Sequence, residues 1–466
     1  MCKEFPKYLE DAVGEHIASS VMEALAGPAS VSVRMNPFKP GTADGAGDRH
    51  FPDVTGPVRW SGYGLFLGSR PNFTLDPYFH AGAYYVQDSS AMFVGELFRK
   101  AFERVLRDRG GRPVRVLDLC AAPGGKTTDI AASLRPLCGD DFLLVANEVM
   151  QSRVGVLADN VASWGDPNVV VTSSDPSAFA ALSGYFDMIV ADVPCSGEGM
   201  FRKDPEAVRQ WSEDNVRLCQ ARQRRIVADV WPALAENGVL VYSTCTFNRY
   251  ENDCNVQWIC GDLGAERMPF PELESLYGCK SGEQGGIFGT ESGFLLLPGM
   301  VPGEGQYCAA VRKTGKTAVR PARRPGTAGC VKGPDSWFRV PVRFRQAGTR
   351  LAALPVAVAD EIAVISDAVR VVRAGCTACE VKGGAMVPSA DFAFCIVSDG
   401  NAFPSAEVDL KQALSFLHKD SLVLADSPRG FLKINYDGLP LGFVKNLGIR
   451  CNNLYPQGRR IRMDID

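Results

Sequence analysis

The feature that most constrains the fold is an alternation of short apolar strands with helical segments between about residues 114 and 260. Each predicted strand is a nearly continuous apolar run that ends at turn residues or at an amphipathic helical segment. The predicted strands are residues 114–120, 142–148, 169–174, 186–193 and 239–245. Strands that are apolar on both faces are buried on both faces. The pattern therefore predicts an α/β fold with a mostly parallel, Rossmann-like sheet that helices cover on both sides.

The sequence on either side of this alternation predicts smaller elements. Residues 7–26 have the periodicity of an amphipathic helix, a strand follows over residues 30–35, and Gly- and Pro-rich sequence to about residue 80 predicts loops. Residues 313–335 are rich in Pro, Gly and basic residues, which is typical of a linker. Short apolar runs separated by turns over residues 406–466 predict a compact β-rich module. We therefore expect an α/β N-terminal region and small β-rich C-terminal domains.

Charge is distributed unevenly along the chain. The formal net charge is −3, but residues 1–311 carry 27 Lys/Arg against 39 Asp/Glu. Residues 312–350 carry eleven basic residues against Asp335, and residues 429–462 carry seven against Asp437. Basic tracts of this kind fit a surface that contacts the phosphates of a nucleic acid. A solvated linker and a basic tail would show the same charge, so both interpretations stay open.

Composition disfavours several other classes of protein. No stretch of about 18 apolar residues is free of charge, and the N-terminus lacks the apolar segment of a signal peptide. We therefore expect a cytoplasmic protein with no membrane partner. The four histidines are scattered, which disfavours Ser-His-Asp catalysis, and most of the fifteen cysteines are expected to be buried thiols. The single C-x-x-C pair, Cys376 and Cys379, lacks further ligands at short spacing, so we predict no metal site.

Polar residues follow the predicted strands at the end where an open α/β sheet binds its ligand. The first strand leads into a Gly-rich turn and Lys126, a turn that matches neither the P-loop nor the dinucleotide-binding fingerprint. Glu148 ends the second strand and suits a ribose diol, Asp175 follows the third and suits an adenine amino group, and Asp192 ends the fourth. Each acid alone would more often be a solvated strand end or a helix cap. The Gly-rich turn before Lys126 consists of Cys120, Ala121, Ala122, Pro123, Gly124 and Gly125. Together, these acids fit a nucleoside cofactor without a phosphate chain, such as S-adenosylmethionine.

Two cysteines at strand ends give a sharper indication of chemistry. Cys195 follows Asp192 after the fourth strand, and Cys245 ends the fifth. Either could be an ordinary buried thiol. A thiolate, however, is strongly nucleophilic near neutral pH, and its addition to carbon 6 of a cytosine makes carbon 5 reactive. Asp192 is suited to hydrogen-bond the N3/N4 edge of such a base. No histidine is near in sequence, so Cys195 and Asp192 are the available acid–base groups.

Several segments resemble the motifs of the Sun-type RNA cytosine-5 methyltransferases, the RsmB/NOP class. The central segments are 117–126 (LDLCAAPGGK), 147–148, 192–199 (DVPCSGEG) and 243–246 (STCT), and flanking matches are 34–36, 85–90 and 251–252. The resemblance covers about residues 30–312, and DVPCSGEG and STCT are highly specific together. A narrower resemblance relates residues 431–456 to the PUA-like module of the bacterial RsmF-like 16S rRNA branch.

The resemblance implies a class I methyltransferase core that uses S-adenosylmethionine to methylate a cytosine of RNA at carbon 5. It implies that Cys245 is the nucleophile and that Cys195 assists release, since a second cysteine in this role distinguishes the RNA enzymes from the DNA enzymes. Lys126 and Asp192 fill the other catalytic positions. The implied cofactor contacts are Cys120, Ala121, Ala122, Pro123, Gly124, Gly125, Lys126, Glu148, Arg153, Asp175 and Asp192.

These observations predict five segments and leave two alternatives open. The segments are an N-terminal RNA-binding region (1–85), the methyltransferase core (86–312), a basic linker (313–335), a small intermediate domain (336–405) and a PUA-like RNA-binding module (406–466). The expected substrate is 16S rRNA, and we expect a monomer with no DNA partner. The first alternative is the same chemistry on tRNA. The second is a catalytically inactive RNA-binding factor for ribosome assembly.

Overall fold

Two short helices begin the chain in the computed structural model, which describes residues 3–42, 50–105, 112–278, 286–316 and 330–465. They are α1 (Phe5–Val13) and α2 (Glu15–Leu25). The single helix predicted over residues 7–26 is therefore wrong. Gly14 between them has a φ of 82°, and this left-handed backbone conformation, which glycine adopts without steric cost, interrupts the helix.

A four-stranded antiparallel sheet completes the N-terminal region. Its strands are β1 (Val31–Met35), β2 (Val54–Pro57), β3 (Gly64–Leu67) and β4 (Tyr84–Val86), and a short helix α3 (Pro77–His80) precedes β4. The order is β2-β3-β1-β4. The loops predicted between residues 36 and 80 are thus interrupted by two strands. Both are only four residues long, so their pairing partners rather than their own pattern define them.

The strands and helices of the central region alternate as predicted. The strands are β5 (Val114–Asp118), β6 (Phe142–Asn147), β7 (Val169–Thr172), β8 (Phe186–Asp192), β9 (Leu234–Thr244), β10 (Ala265–Arg267), β11 (Phe288–Gly289), β12 (Phe294–Leu296) and β13 (Gln306–Lys313). The helices are α4 (Ser89–Val105), α5 (Gly125–Cys138), α6 (Gln151–Trp164), α7 (Pro205–Gln210), α8 (Glu213–Val230), α9 (Asp253–Asp262) and α10 (Pro271–Tyr277).

Five parallel strands form the middle of the largest sheet, in the order β7-β6-β5-β8-β9. Next to β9, β13 runs antiparallel and carries β12 and β10. This arrangement confirms the predicted Rossmann-like α/β core. The prediction of a mostly parallel sheet holds for the middle strands, whereas the strands added at the edges are antiparallel.

Helices cover both faces of this sheet. Successive strand residues such as Val116 and Leu117 belong to different apolar clusters, because side chains alternate across a strand. One face packs against α1, α2 and α8, and the other packs against α4, α5 and α6. Each large side chain buried in this way contributes about 1.5–3 kcal/mol. The sheet is consequently a rigid support for the loops at its ends.

The C-terminal part contains two smaller sheets. Its elements are β14 (Cys330–Val331), β15 (Val342–Ala347), β16 (Arg350–Pro355), α11 (Val356–Ala368), β17 (Val371–Arg373), β18 (Cys376–Lys382), β19 (Ala385–Pro388), α12 (Ala390–Phe394), β20 (Ser405–Glu407), α13 (Leu410–His418), β21 (Gly430–Tyr436), β22 (Leu439–Asn446) and β23 (Cys451–Asn453). The sheet orders are β14-β15-β16-β18-β19 and β20-β21-β22-β23. No helix among the described residues is both long and apolar enough to cross a bilayer.

Two C-terminal elements pack on the central sheet rather than on the two C-terminal sheets. β17 pairs antiparallel with β7 and extends the sheet at that edge. Residues of α11, including Val358 and Ile362, are fully buried in the apolar cluster that covers one face. The segment predicted as an intermediate domain therefore contributes to the core. Part of the predicted linker, residues 317–329, lies outside the described residues.

Candidate functional site

The carboxyl ends of the middle strands lie side by side at one end of the sheet and bring most predicted site residues together. Asp118 at the end of β5 is level with Val190 of β8, and Asp192 of β8 is level with Ser243 of β9. The loops that follow these strands carry the Gly-rich turn and both strand-end cysteines. The tertiary structure therefore places the two predicted halves of the site, cofactor turn and thiols, next to each other.

The turn between β5 and α5 presents backbone groups at the start of a helix. Gly124 has a φ of 114°, and no side chain caps the helix that begins at Gly125. The first amides of an α-helix have no partner within the helix and attract negative charge. A Cβ atom on Gly124 would lie 3.3 Å from Leu157 Cδ1 of α6. The turn thus fits the carboxylate of an amino-acid group.

Three side chains from two other elements, β1 and α6, hold this turn. Asn160 Nδ2 donates to the Pro123 carbonyl at 2.8 Å, and Arg34 Nη2 donates to the Gly125 carbonyl at 3.1 Å. Arg153 donates to the Ala122 carbonyl, and its Nη1 lies 3.6 Å from Glu148 Oε2. Arg153 therefore joins the turn to Glu148 in addition to any contact with a ligand. Burial raises the pKa of the half-buried Cys120 thiol in the same turn.

The acids at the strand ends have different environments. Glu148 is buried and accepts from the Met150 amide at 2.8 Å. Asp175 is exposed, and its Oδ1 accepts from the amide and hydroxyl of Ser177, which lowers its pKa. Asp175 is thus a local helix cap, and its predicted contact with a cofactor stays a prediction. Asp118 is fully buried, and burial raises its pKa to about 7.

One atom of this group lacks a partner. Asp118 Oδ2 accepts from Thr127 Oγ1 at 2.6 Å, whereas Oδ1 is buried without a hydrogen bond to any described residue. A buried polar oxygen without a partner is destabilising. This oxygen, the uncapped helix start and the buried Glu148 together fit a nucleoside with an amino-acid group, such as S-adenosylmethionine.

Lys126 and Asp192 form the charged centre of the site. Lys126 Nζ donates to Asp192 Oδ2 at 2.7 Å. Ser243 Oγ and Gln306 Nε2 donate to Asp192 Oδ1 at 2.7 and 3.0 Å. Burial lowers the pKa of Lys126, but the Asp192 carboxylate outweighs it, so the net shift is upward. These bonds fix the Asp192 carboxylate beside the two cysteines.

The two cysteines lie in contact, with Cys195 Sγ 3.3 Å from Cys245 Sγ. Each is half-buried. The hydrogen bond to Cys245 and then burial raise the pKa of Cys195 well above its ordinary value. The contact places Cys195 where it can exchange a proton with the Cys245 thiol. The prediction that these two distant cysteines act together is consistent with this geometry.

Sequence reasoning missed several residues of the site. Ser243 and Gln306, which hold Asp192, were not predicted, and neither were the buried carboxyls Glu198 and Glu251 beside the cysteine loops. Glu251 lies in a segment that matched the family motifs, so the resemblance contained a signal for it. Gln306 lies on β13 and reaches the site only through antiparallel pairing with β9, which no local pattern indicates.

Three protein-family profiles match successive parts of the chain. A profile described as the 16S rRNA methyltransferase RsmB/F matches residues 110–312. One described as the N-terminal domain of the 16S rRNA methyltransferase RsmF matches residues 1–89, and one described as the methyltransferase RsmF PUA domain matches residues 403–461.

Individual proteins show the same relationship. The ribosomal RNA small subunit methyltransferase F of Enterobacter sp. (strain 638) is 30% identical over 97% of this chain and 95% of its own length. The protein of that name from Pectobacterium atrosepticum is 38% identical over 58% of this chain and 53% of its own length, so that match spans about half of the relative. A methyltransferase homologue from Pyrococcus horikoshii of known structure is 26% identical with a TM-score of 0.53, over 67% of this chain and 95% of that one.

Proposed function

Because the chain belongs to the RsmF-type family of 16S rRNA methyltransferases, we propose that it methylates a cytosine of 16S rRNA at carbon 5 through a covalent bond to Cys245. The S-adenosylmethionine-dependent RNA cytosine-C5 methyltransferase activity is that of the family. The covalent route, the roles of individual residues and the choice of 16S rRNA are our proposal. The observation that carries it is the 3.3 Å contact between Cys195 and Cys245 beside the Lys126–Asp192 pair.

The cofactor side of the site is the turn of residues 120–126 with the acids of the neighbouring strand ends. Bound S-adenosylmethionine supplies a methyl group as an electrophile. We assign its amino-acid part to the uncapped start of α5 and its ribose to the buried Glu148. We assign Asp175 to the adenine. The contact uses carboxylate oxygen Oδ2, because Oδ1 accepts both hydrogen bonds from Ser177.

The base side of the site is formed by Cys245 and Asp192. The Cys245 sulfur forms a bond to carbon 6 of the cytosine, and the electron pair of the 5,6 double bond becomes available at carbon 5 for the methyl group. Asp192, fixed by Lys126, Ser243 and Gln306, hydrogen-bonds the N3/N4 edge of the base and stabilises the adduct.

Release needs the carbon 5 proton to leave while the carbon–sulfur bond to Cys245 breaks. Cys195 is the titratable group in contact with Cys245. We therefore assign to Cys195 the handling of the proton during elimination, either directly or through a water molecule. We assign the attack to Cys245 rather than to Cys195 because the resemblance places the nucleophile of the RNA enzymes in the Thr-Cys segment, whereas the DNA enzymes use the cysteine that follows proline.

The test of substrate and product uses the purified full chain with S-adenosylmethionine carrying a labelled methyl group. We expect label in 16S rRNA, offered free and in small ribosomal subunits, and none in tRNA, with bisulfite sequencing locating 5-methylcytosine. Label in tRNA alone would replace rRNA by the first alternative. Cofactor binding without transfer to any RNA would support the inactive assembly factor, and the filled positions Lys126, Asp192, Cys195 and Cys245 argue against that outcome. A cytoplasmic location is part of the proposal.

A further inference from the structure

Two buried glutamates connect the segments that carry the two cysteines. Glu198 lies three residues after Cys195, and Glu251 lies six residues after Cys245. Their side chains are almost completely buried, with relative exposures of 1% and 0%. The mechanism above uses neither of them.

Each glutamate accepts hydrogen bonds from the other cysteine's segment. Glu251 Oε2 accepts from the amide of Ser196, the residue after Cys195, at 3.0 Å. Glu198 Oε2 accepts from the amides of Phe247 and Asn248, the second and third residues after Cys245, at 2.6 and 3.0 Å. The two segments are therefore joined in both directions by carboxylate bonds to main-chain N–H groups, which are strong and orienting.

Further contacts close this arrangement. Asn248 Nδ2 donates to Glu198 Oε1 at 2.9 Å and to Glu251 Oε1 at 2.8 Å, so one amide bridges both carboxylates. The hydroxyls of Ser196 and Thr246, the residues after the two cysteines, lie 2.9 Å apart. Gln223 Nε2 of α8 donates to Glu251 Oε2 at 2.7 Å and to the carbonyl of Pro194, the residue before Cys195, at 3.0 Å.

We propose that Glu198 and Glu251 are positioning residues that hold the two cysteine segments together and set the distance between the Cys195 and Cys245 thiols. We call them the glutamate pair. The inference deepens the proposed function, since a fixed thiol–thiol distance matters for release only if Cys245 forms the adduct. Two carboxylates buried close together are unfavourable, and burial followed by the charge of Glu198 raises the pKa of Glu251 to about 7. The hydrogen bonds of the pair converge on the residues that follow the two cysteines, which is the arrangement that a fixed geometry at the thiols requires.

The first test measures the thiol geometry without RNA. Phenylarsine oxide condenses with two adjacent thiols and releases water, so bridging of Cys195 to Cys245 can be followed by peptide mapping of the full chain. We expect Glu251→Gln and Glu198→Gln to slow this bridging by about tenfold, because both oxygens of each carboxylate accept hydrogen bonds and a glutamine must turn an N–H group towards at least one donor. The matched control is Asp253→Asn. Asp253 lies two residues after Glu251 and also accepts three hydrogen bonds, but from Thr290, Ser292 and Tyr307. Cys195 and Cys245 of this variant should be bridged at the wild-type rate.

The second test measures release. With RNA, the glutamine variants should form the protein–RNA adduct and resolve it slowly, so that kcat falls while the KM for RNA and S-adenosylmethionine binding change little. Unchanged bridging in both glutamine variants, or an equal loss in Asp253→Asn, would overturn the proposal. If the glutamine variants fail to fold, which lost cofactor binding and circular dichroism would show, Asn248→Ala decides. It removes the side-chain amide that bridges the two glutamates but keeps their bonds to main-chain N–H groups. It should slow bridging less, and unchanged bridging there would overturn the proposal. Failure of the wild type to methylate RNA would remove the proposed function but leave the bridging result valid.

Discussion

Among the described residues, two pairs of neighbouring cysteines lie in different surroundings. Cys195 and Cys245 are half-buried at strand ends, beside the Lys126–Asp192 ion pair. Cys376 and Cys395 are buried in one apolar cluster with residues such as Phe392, and each influences the pKa of the other. Closeness of two thiols is common to both pairs, so it does not by itself make a reactive site. Access distinguishes the first pair, because Cys195 and Cys245 are half-buried whereas Cys376 and Cys395 are buried.

The largest difference between the pairs should appear on removal of the nucleophile. Cys245→Ala should lower methylation by roughly 10³-fold or more, because no other group supplies the bond to carbon 6. S-adenosylmethionine binding, measured by calorimetry, should be unchanged. Measurable turnover in this variant would contradict the assignment of Cys245.

Removal of the other thiol of the same pair should have a different signature. Cys195→Ala should leave attack possible but impair release, so a protein–RNA adduct that resists denaturation should accumulate on a gel. The double variant Cys195→Ala/Cys245→Ala is the control and should form none. If Cys245→Ala accumulated the adduct instead, the two roles would be reversed.

The next largest effect is expected at Asp192, the charged neighbour of Cys195 and Cys245. Asp192→Asn keeps the shape but removes the charge that pairs with Lys126. We expect single-turnover methylation to fall by about 10²–10³-fold, with the protein still folded by circular dichroism. A loss smaller than tenfold would mean that Asp192 holds Lys126 but does not act on the base.

Near the second pair, a buried carboxylate should govern stability instead. Asp391 follows the start of α12 and pairs with Arg373 and Arg459. Burial opposes its ionisation, but the two guanidinium groups outweigh it and hold the pKa of Asp391 well below its usual range. The stabilisation is therefore present above about pH 4 and lost as the pH falls below it. Asp391→Asn should lower the free energy of unfolding by about 3 kcal/mol at pH 7, and the difference from wild type should shrink in acid.

The smallest effect is expected within the second pair itself. Cys395→Ala should cost about 1–2 kcal/mol of unfolding free energy, because it removes a buried sulfur from a packed cluster. Methylation at a temperature well below the unfolding transition should be unchanged. A clear loss of activity would show that this pair, too, contributes to the reaction.

Much of the core was predictable because its pattern is local. The five middle strands follow from continuous apolar runs, and the residues at their ends follow from strand direction. Gly14 and the four-residue strands β2 and β3 were not predicted. One glycine within a helical pattern is often tolerated, and very short strands have too few residues to show alternation.

The candidate reacting groups of the site could be proposed from the sequence, whereas the residues that hold them in place could not. Lys126, Asp192, Cys195 and Cys245 follow from strand ends and from the family resemblance. Gln306 does not, because it reaches Asp192 from a strand more than one hundred residues later in the chain. Asp175 shows the converse, since its strand-end position is real but its observed bonds are those of a helix cap.

The sequence alone determined the order of strands and helices, the Gly-rich turn and the identity of the groups that we propose to react, since these depend on local periodicity and residue chemistry. The tertiary structure decided which cysteines meet. Cys376 lies three residues from Cys379 in a C-x-x-C pair, yet the thiol that influences its pKa is Cys395, whereas Cys195 meets Cys245 across fifty residues. The tertiary structure also placed α11 and β17 on the core sheet. The physical reason is that burial and strand pairing depend on surfaces brought together by folding, and their partners are not encoded by spacing along the chain.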